Sequence, residues 1–143
     1  MKLKLIYHAL YAALFATAAN LVSLSSATDA LAAIEVRQQD AVLFVSGGVG
    51  ENERQEIMKL SPDYSLELLF ATRGSRNEYL ADVNVQIKDQ NGKVVLDTVS
   101  QGPFLLAKVA PGRYSIRADN DGAIKQQTIQ VKAAKLHRVV FVW

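Results

Sequence analysis

Between Leu80 and Ala118 apolar and polar residues alternate with a period of two, and turn-forming pairs break the alternation at short intervals. Val83, Val85 and Ile87 alternate with Asp82, Asn84, Gln86 and Lys88, the pattern of a strand with one buried face. Asp89-Gln90-Asn91-Gly92 then reads as a tight turn, because Asn91 and Gly92 tolerate positive φ, and Lys93 to Val99 returns as a β-branched strand. After a Gly102-Pro103 break, Phe104 to Val109 forms the next strand. Ala110-Pro111-Gly112-Arg113 turns it into Tyr114 to Ala118, with Pro111 presetting φ and Gly112 expected in the left-handed corner of a type II turn.

The flanks carry weaker versions of the same signals. Ile34-Glu35-Val36 and Ala41 to Val45 read as strands, with Arg37-Gln38-Gln39 and Asp40 interrupting them. Gly47-Gly48-Val49-Gly50 reads as a turn. It lacks the Gly-Lys-Ser/Thr of a phosphate loop, and Glu51 and Glu53 behind it would repel a phosphate. Glu51 to Leu60 has acidic residues in its first turn, Lys59 in its last and Ser61-Pro62 as a stop, so a short helix is expected, with Ile57, Leu60 and Met58 as an apolar edge that caps the fold. Tyr64 to Ala71 follows as a strand, with Leu66, Leu68 and Phe70 on one face. Thr72 to Asn77, with Arg73 and Arg76, reads as a solvated polar loop. Asp119-Asn120-Asp121-Gly122 is the clearest turn of the chain, and its spacing does not match a calcium-binding loop. Lys125 to Lys132 alternates through Gln127, Ile129 and Val131, and Val139 to Trp143 ends the chain as a last strand. An aromatic-terminated strand also occurs in outer-membrane barrels, but a barrel needs at least eight strands of about ten residues, more than this chain offers.

The string Val109-Ala110-Pro111-Gly112-Arg113-Tyr114-Ser115-Ile116, placed after an Asn-Gly hairpin and a Gly-Pro-Phe segment, resembles the carboxypeptidase regulatory-like domain. The resemblance covers Leu80 to Val142. It implies a transthyretin-like (prealbumin-like) sandwich of seven strands in which the Pro-Gly-x-Tyr turn recurs and the tyrosine packs inward. In zinc carboxypeptidases such a domain is an appendage of the catalytic one, and no catalytic domain accompanies it in these 143 residues. The His and Arg arrangement and the Tyr-Arg-Gly-Ser ending of transthyretin-like hydroxyisourate hydrolases are missing, which argues against their activity. The expected fold class is therefore mainly β: a transthyretin-like or immunoglobulin-like antiparallel β-sandwich with one short helix.

Met1-Lys2-Leu3-Lys4 followed by the uncharged, Ala- and Leu-rich stretch Leu5 to Leu24 reads as a secretory signal peptide. Small residues stand at cleavage spacing at Ser25-Ser26-Ala27 and at Ala30-Leu31-Ala32. The second site is preferred because the mature chain then starts just before the first strand, giving a signal peptide over 1–32 and one domain over 33–143. The rival is a retained anchor, since the apolar run nearly spans a bilayer of about 30 Å. Its Asn20, Ser23, Ser25 and Ser26 favour cleavage. A mature chain of roughly 110 residues suffices for one core and is too short for two.

Charge then narrows the partners. Loss of Lys2 and Lys4 takes the 16 Lys and Arg to 14, and loss of Asp29 takes the 14 Asp and Glu to 13, so the domain is almost neutral with its charges interspersed. No basic footprint for nucleic acid or anionic lipid exists, and no membrane span is expected after cleavage. The chain has no cysteine, so an exported fold must rest on apolar burial alone.

Catalytic chemistry finds little to work with. His8 departs with the leader, leaving His137 between Leu136 and Arg138 with no ligand cluster beside it. Sequence order leaves a Ser-His-Asp triad open, but no serine stands in a Gly-x-Ser-x-Gly elbow. Glu51, Glu53 and Glu56 lie on an expected solvent-facing helix. No catalytic, cofactor-binding or metal-ligating residue is therefore assigned, and no cofactor is expected. Two non-catalytic classes remain. One is an interaction module of the bacterial periplasm that pairs an exposed sheet edge, such as Val139 to Trp143, with an envelope protein or a second copy of itself. The other is a glycan-binding module that presents two coplanar aromatics drawn from Tyr64, Tyr79, Tyr114 and Trp143.

Overall fold

The structure is a computed structural model that describes residues 34–74 and 78–143. The expected signal peptide, its cleavage sites and Arg76 lie outside the described residues. Among the described residues the chain runs β1 (Arg37–Gln39), β2 (Val42–Gly47), α1 (Glu51–Leu60), a 3-10 turn (Ser61–Asp63), β3 (Leu66–Ala71), β4 (Val83–Asp89), β5 (Val94–Ser100), β6 (Phe104–Lys108), β7 (Gly112–Asn120), β8 (Ala123–Val131) and β9 (His137–Val142). They form a five-stranded sheet in the order β1-β2-β6-β3-β9 and a four-stranded sheet in the order β5-β4-β7-β8.

The alternating residues of β4 and β7 do what their period demands. Val83, Val85, Ile87, Tyr114, Ile116 and Ala118 point into the sandwich, where they meet Leu66, Leu68, Phe70, Leu105, Val139 and Phe141 of the other sheet. The main core lies between the two sheets. Burying each of its Leu, Ile or Phe side chains contributes about 1.5–3 kcal/mol. The opposite face of the five-stranded sheet carries a second core: Val45, Phe104 and Leu106 pack on Ile57 of α1, with Ile34, Leu60, Tyr64 and Leu69 around them. Helix α1 thus caps the sandwich, as its apolar edge predicts, although Met58 is turned to solvent. Glu67, also on this second face, is buried and accepts hydrogen bonds from Arg138 Nε at 2.6 Å and Nη2 at 3.3 Å. That hydrogen bond first, and the Glu67 charge second, raise the Arg138 guanidinium above its ordinary value.

Several details differ from the sequence expectations: the described residues form nine strands and not seven, β3 opens at Leu66 and not at Tyr64, and β9 opens at His137 and not at Val139. Residues 34–36 are not a strand, whereas Arg37–Gln39 is one, closed onto β2 through Asp40, which takes a positive φ of 49°. Polar side chains that look like a loop in sequence find partners here: the Arg37 guanidinium lies 4.8 Å from the Phe44 ring centroid and donates to Ser46 Oγ at 2.7 Å. Gly112 has φ of 158°, nearly extended, and begins β7 instead of occupying a left-handed corner. β8 starts at Ala123, two residues before the expected Lys125. Finally, the sandwich is not wholly antiparallel. β9 runs parallel to β3, from Leu66↔His137 to Ala71↔Val142.

Candidate interaction edge

The residues weighed for chemistry are dispersed, and most are engaged in holding the fold. His137 opens β9, half-buried, its backbone N–H donating to Ser65 O at 2.8 Å. Glu53 reaches back from α1 to accept the Val49 N–H at 3.1 Å, so its carboxylate occupies the amide that a phosphate would need. Glu51 pairs with Arg54 and Glu56 with Lys59 along the helix. Asp119 accepts the Gly122 N–H and an Arg117 N–H, which spends its carboxylate on the turn. Arg73 is exposed, and its backbone N–H donates to Trp143 O. Among the described residues no group of three His, Cys, Asp or Glu is placed to hold a metal ion, and no helix is long and apolar enough to cross a membrane.

Of the four candidate aromatics only Tyr79 is exposed, so no two of them present an exposed platform. Tyr64 is part of the second core, and burial first, with Asp63 second, raises its phenol above the ordinary value. Trp143 packs on Phe141 and Phe70, with its indole N–H donating to Ala123 O. Tyr79 is half-exposed, but the Arg54 guanidinium lies 5.1 Å from its ring centroid. Tyr114 is turned inward and donates its O–H to Ala110 O at 2.7 Å, closing a corner over the Pro111 turn.

Burial first, and the Asp89 charge second, raise the Tyr114 phenol above its ordinary 10.0. The folded protein keeps this proton at a pH where the unfolded chain loses it, so the contribution is full below about pH 10 and is lost as pH rises through the folded value. Tyr114→Phe is expected to cost about 1 kcal/mol at neutral pH, since it removes the hydrogen bond that ties β7 to the Ala110 carbonyl, and to flatten the alkaline decline. Thermal melts from neutral pH to pH 11 measure both, and an unchanged Tm at neutral pH would refute the corner's role.

Sheet edges remain, and they are not equivalent. β1 has three residues. The outward N–H of Asp97 on β5 is covered by Gln39 Oε1 at 3.0 Å, and the outward carbonyl of Val140 on β9 is covered by Gln127 Nε2 at 3.0 Å. β9 is also no removable edge, because Val139 and Phe141 are core residues, so deleting Val139 to Trp143 would open the sandwich instead of testing a contact.

β8 is different in length and in cover. Asp121 and Gly122 have φ of 49° and 88°, the positive values of a type I′ hairpin, which makes Asn120↔Ala123 a hydrogen-bonded pair. Bonding alternates from there. Lys125, Gln127, Ile129 and Val131 bond β7, while Ile124, Gln126, Thr128 and Gln130 turn their N–H and C=O groups away from the sheet. Among the described residues these outward groups meet no donor or acceptor. Of the nine residues of β8 only Ile129 and Val131 are buried. None of the outward residues is charged, and the strand contains no Pro or bulge of the kind that blunts an edge.

No family model matches this sequence, and no curated protein matches it. The β8 edge therefore stands on its geometry. In the sequence it shows only as the alternation of Gln127, Ile129 and Val131. The signal that marks it is the uncharged run Gln126-Gln127-Thr128-Ile129-Gln130-Val131, three residues after the Asp121-Gly122 turn.

Proposed function

We propose that this chain is an exported, non-catalytic domain of the bacterial cell envelope that serves as a protein-interaction module, taking a partner strand along an edge of its sandwich. The observation that carries this reading is the uncovered backbone of Ile124, Gln126, Thr128 and Gln130 on β8. Main-chain groups in this arrangement bind an extended strand with little demand on its sequence. Periplasmic location rests on the basic start, the apolar run Leu5 to Leu24 and the small residues ending at Ala32, together with a chain free of cysteine. The resemblance to carboxypeptidase regulatory-like domains is supported by the strand run β4 to β9 and by the inward Tyr114 of the Pro-Gly-x-Tyr turn. In that setting the domain is an accessory that positions or holds, and not one that converts a substrate.

The test is capture of partners from envelope extracts on the tagged full chain, comparing wild type with Thr128→Pro. Proline at 128 removes an N–H that points away from β7, so the sheet itself keeps its ladder. A stoichiometric partner, whether another protein or a second copy, is expected on the wild type, and at least tenfold less of it on the variant at equal circular dichroism. Absence of any partner, or capture that ignores the variant, would overturn the reading.

A further inference from the structure

We infer that the strand taken up by the β8 edge is β8 of a second copy of this chain, paired antiparallel about a two-fold axis through Gln127. This deepens the interaction reading above and rests on it. Antiparallel pairing joins residues whose backbone groups face each other, so the outward set must pair within itself. One register uses all of it: Ile124 opposite Gln130 of the second copy, and Gln126 opposite Thr128 of the second copy. Shifting by two positions in either direction leaves an outward residue without a partner on the strand.

The side chains agree with that register. No charge falls among the outward positions, and a hydroxyl meets an amide where Thr128 faces Gln126. Lys125 falls opposite Ile129 of the second copy, so the two copies of Lys125 stand about four positions, or about 13 Å, apart along the ladder. A register moved further toward the hairpin would set Lys125 against itself. At each end Lys132 arrives beside Asp121 and Gly122 of the second copy, so a cation meets the Asp121 carboxylate, which has no partner among the described residues, Asp119 being engaged by Gly122 and Arg117 of its own chain. The two four-stranded sheets become one continuous sheet, and both copies lose their longest open edge. A two-fold arrangement closes on itself, so a dimer results and not a fibre.

The register dictates the experiment, which uses the full chain purified from expressing cells with its N-terminus read by mass spectrometry. Light scattering across a concentration series is expected to show a wild-type dimer. Gln126→Lys with Thr128→Lys sets lysine against lysine and should weaken dimerisation at least tenfold. Gln126→Lys with Thr128→Glu sets lysine against glutamate and should restore it, which no loss of folding can mimic. The chain has no cysteine of its own, so single cysteines report position. Gln127→Cys lies opposite itself in a close pair, at about 4.5 Å between Cα atoms and inside disulfide range, and should cross-link under mild oxidation. Lys125→Cys should not. A wild type that stays monomeric, a dimer indifferent to the double-lysine variant, or cross-linking at 125 instead of 127 would each overturn the self-pairing. A monomer that still captures another protein in a Thr128-dependent way would leave the interaction reading standing and remove only the second copy.

Discussion

The Gly102→Ala variant is expected to lose about 3 kcal/mol of stability, at the upper end of what overpacking costs. Gly102 lies in the crossover from β5 to β6, and a methyl group there would fall on the carbonyl carbon and oxygen of Gly47. Both obstacles are main chain, fixed by the pairing of β2 with β6 from Leu43↔Lys108 to Gly47↔Phe104, so neither can swing aside. Gly92→Ala is the control. It has open space around it, and its φ of 78° makes alanine cost about 1–2 kcal/mol through backbone strain alone. Urea unfolding of the two variants side by side decides the matter. Equal losses would mean that the close approach of Gly102 to the Gly47 main chain carries no weight.

Phe70→Ala is expected to cost about 4 kcal/mol, the transfer term plus the cavity left behind. Phe70 is fully buried in the middle of the main core, with its ring 6.0 Å from Phe141 and 6.4 Å from Trp143 between centroids. Against a total stability of about 5–15 kcal/mol for a domain, that loss removes between about a quarter and about four-fifths of it. Trp143 is the one tryptophan of the chain and touches the site, so its fluorescence follows the transition. A variant within about 1 kcal/mol of wild type would show that the two sheets collapse onto the gap and that the aromatic cluster is not the centre of the core.

Legibility in the sequence followed exposure. β4 and β7 each keep one wet face, so their period of two is plain, and the turns between strands announce themselves through Asn91-Gly92 and Asp121-Gly122. Phe104-Leu105-Leu106-Ala107 shows no alternation because β6 is covered on one side by the second sheet and on the other by α1. A strand buried on both faces says that it is a strand and nothing about which sheet it joins. β1 was hidden for the opposite reason, since Arg37, Gln38 and Gln39 read as loop until Phe44, Ser46 and Asp97 are placed beside them. The candidate edge was the least legible of all. Whether a strand lies at the margin of a sheet depends on what the rest of the chain leaves uncovered, and beyond the uncharged run Gln126 to Val131 nothing local sets β8 apart from a central strand such as β4.

The parallel pairing of β3 with β9 also has a kinetic meaning. The Glu67 and Arg138 that face each other across it are 71 positions apart, and β3, which lies between β6 and β9, lacks one neighbour until the last strand arrives. Contacts of such separation make folding slow, because the loop between them must be closed before they contribute. A nascent chain of this design cannot complete its core before Trp143 has been synthesised. Its core stays open for as long as the chain is being made.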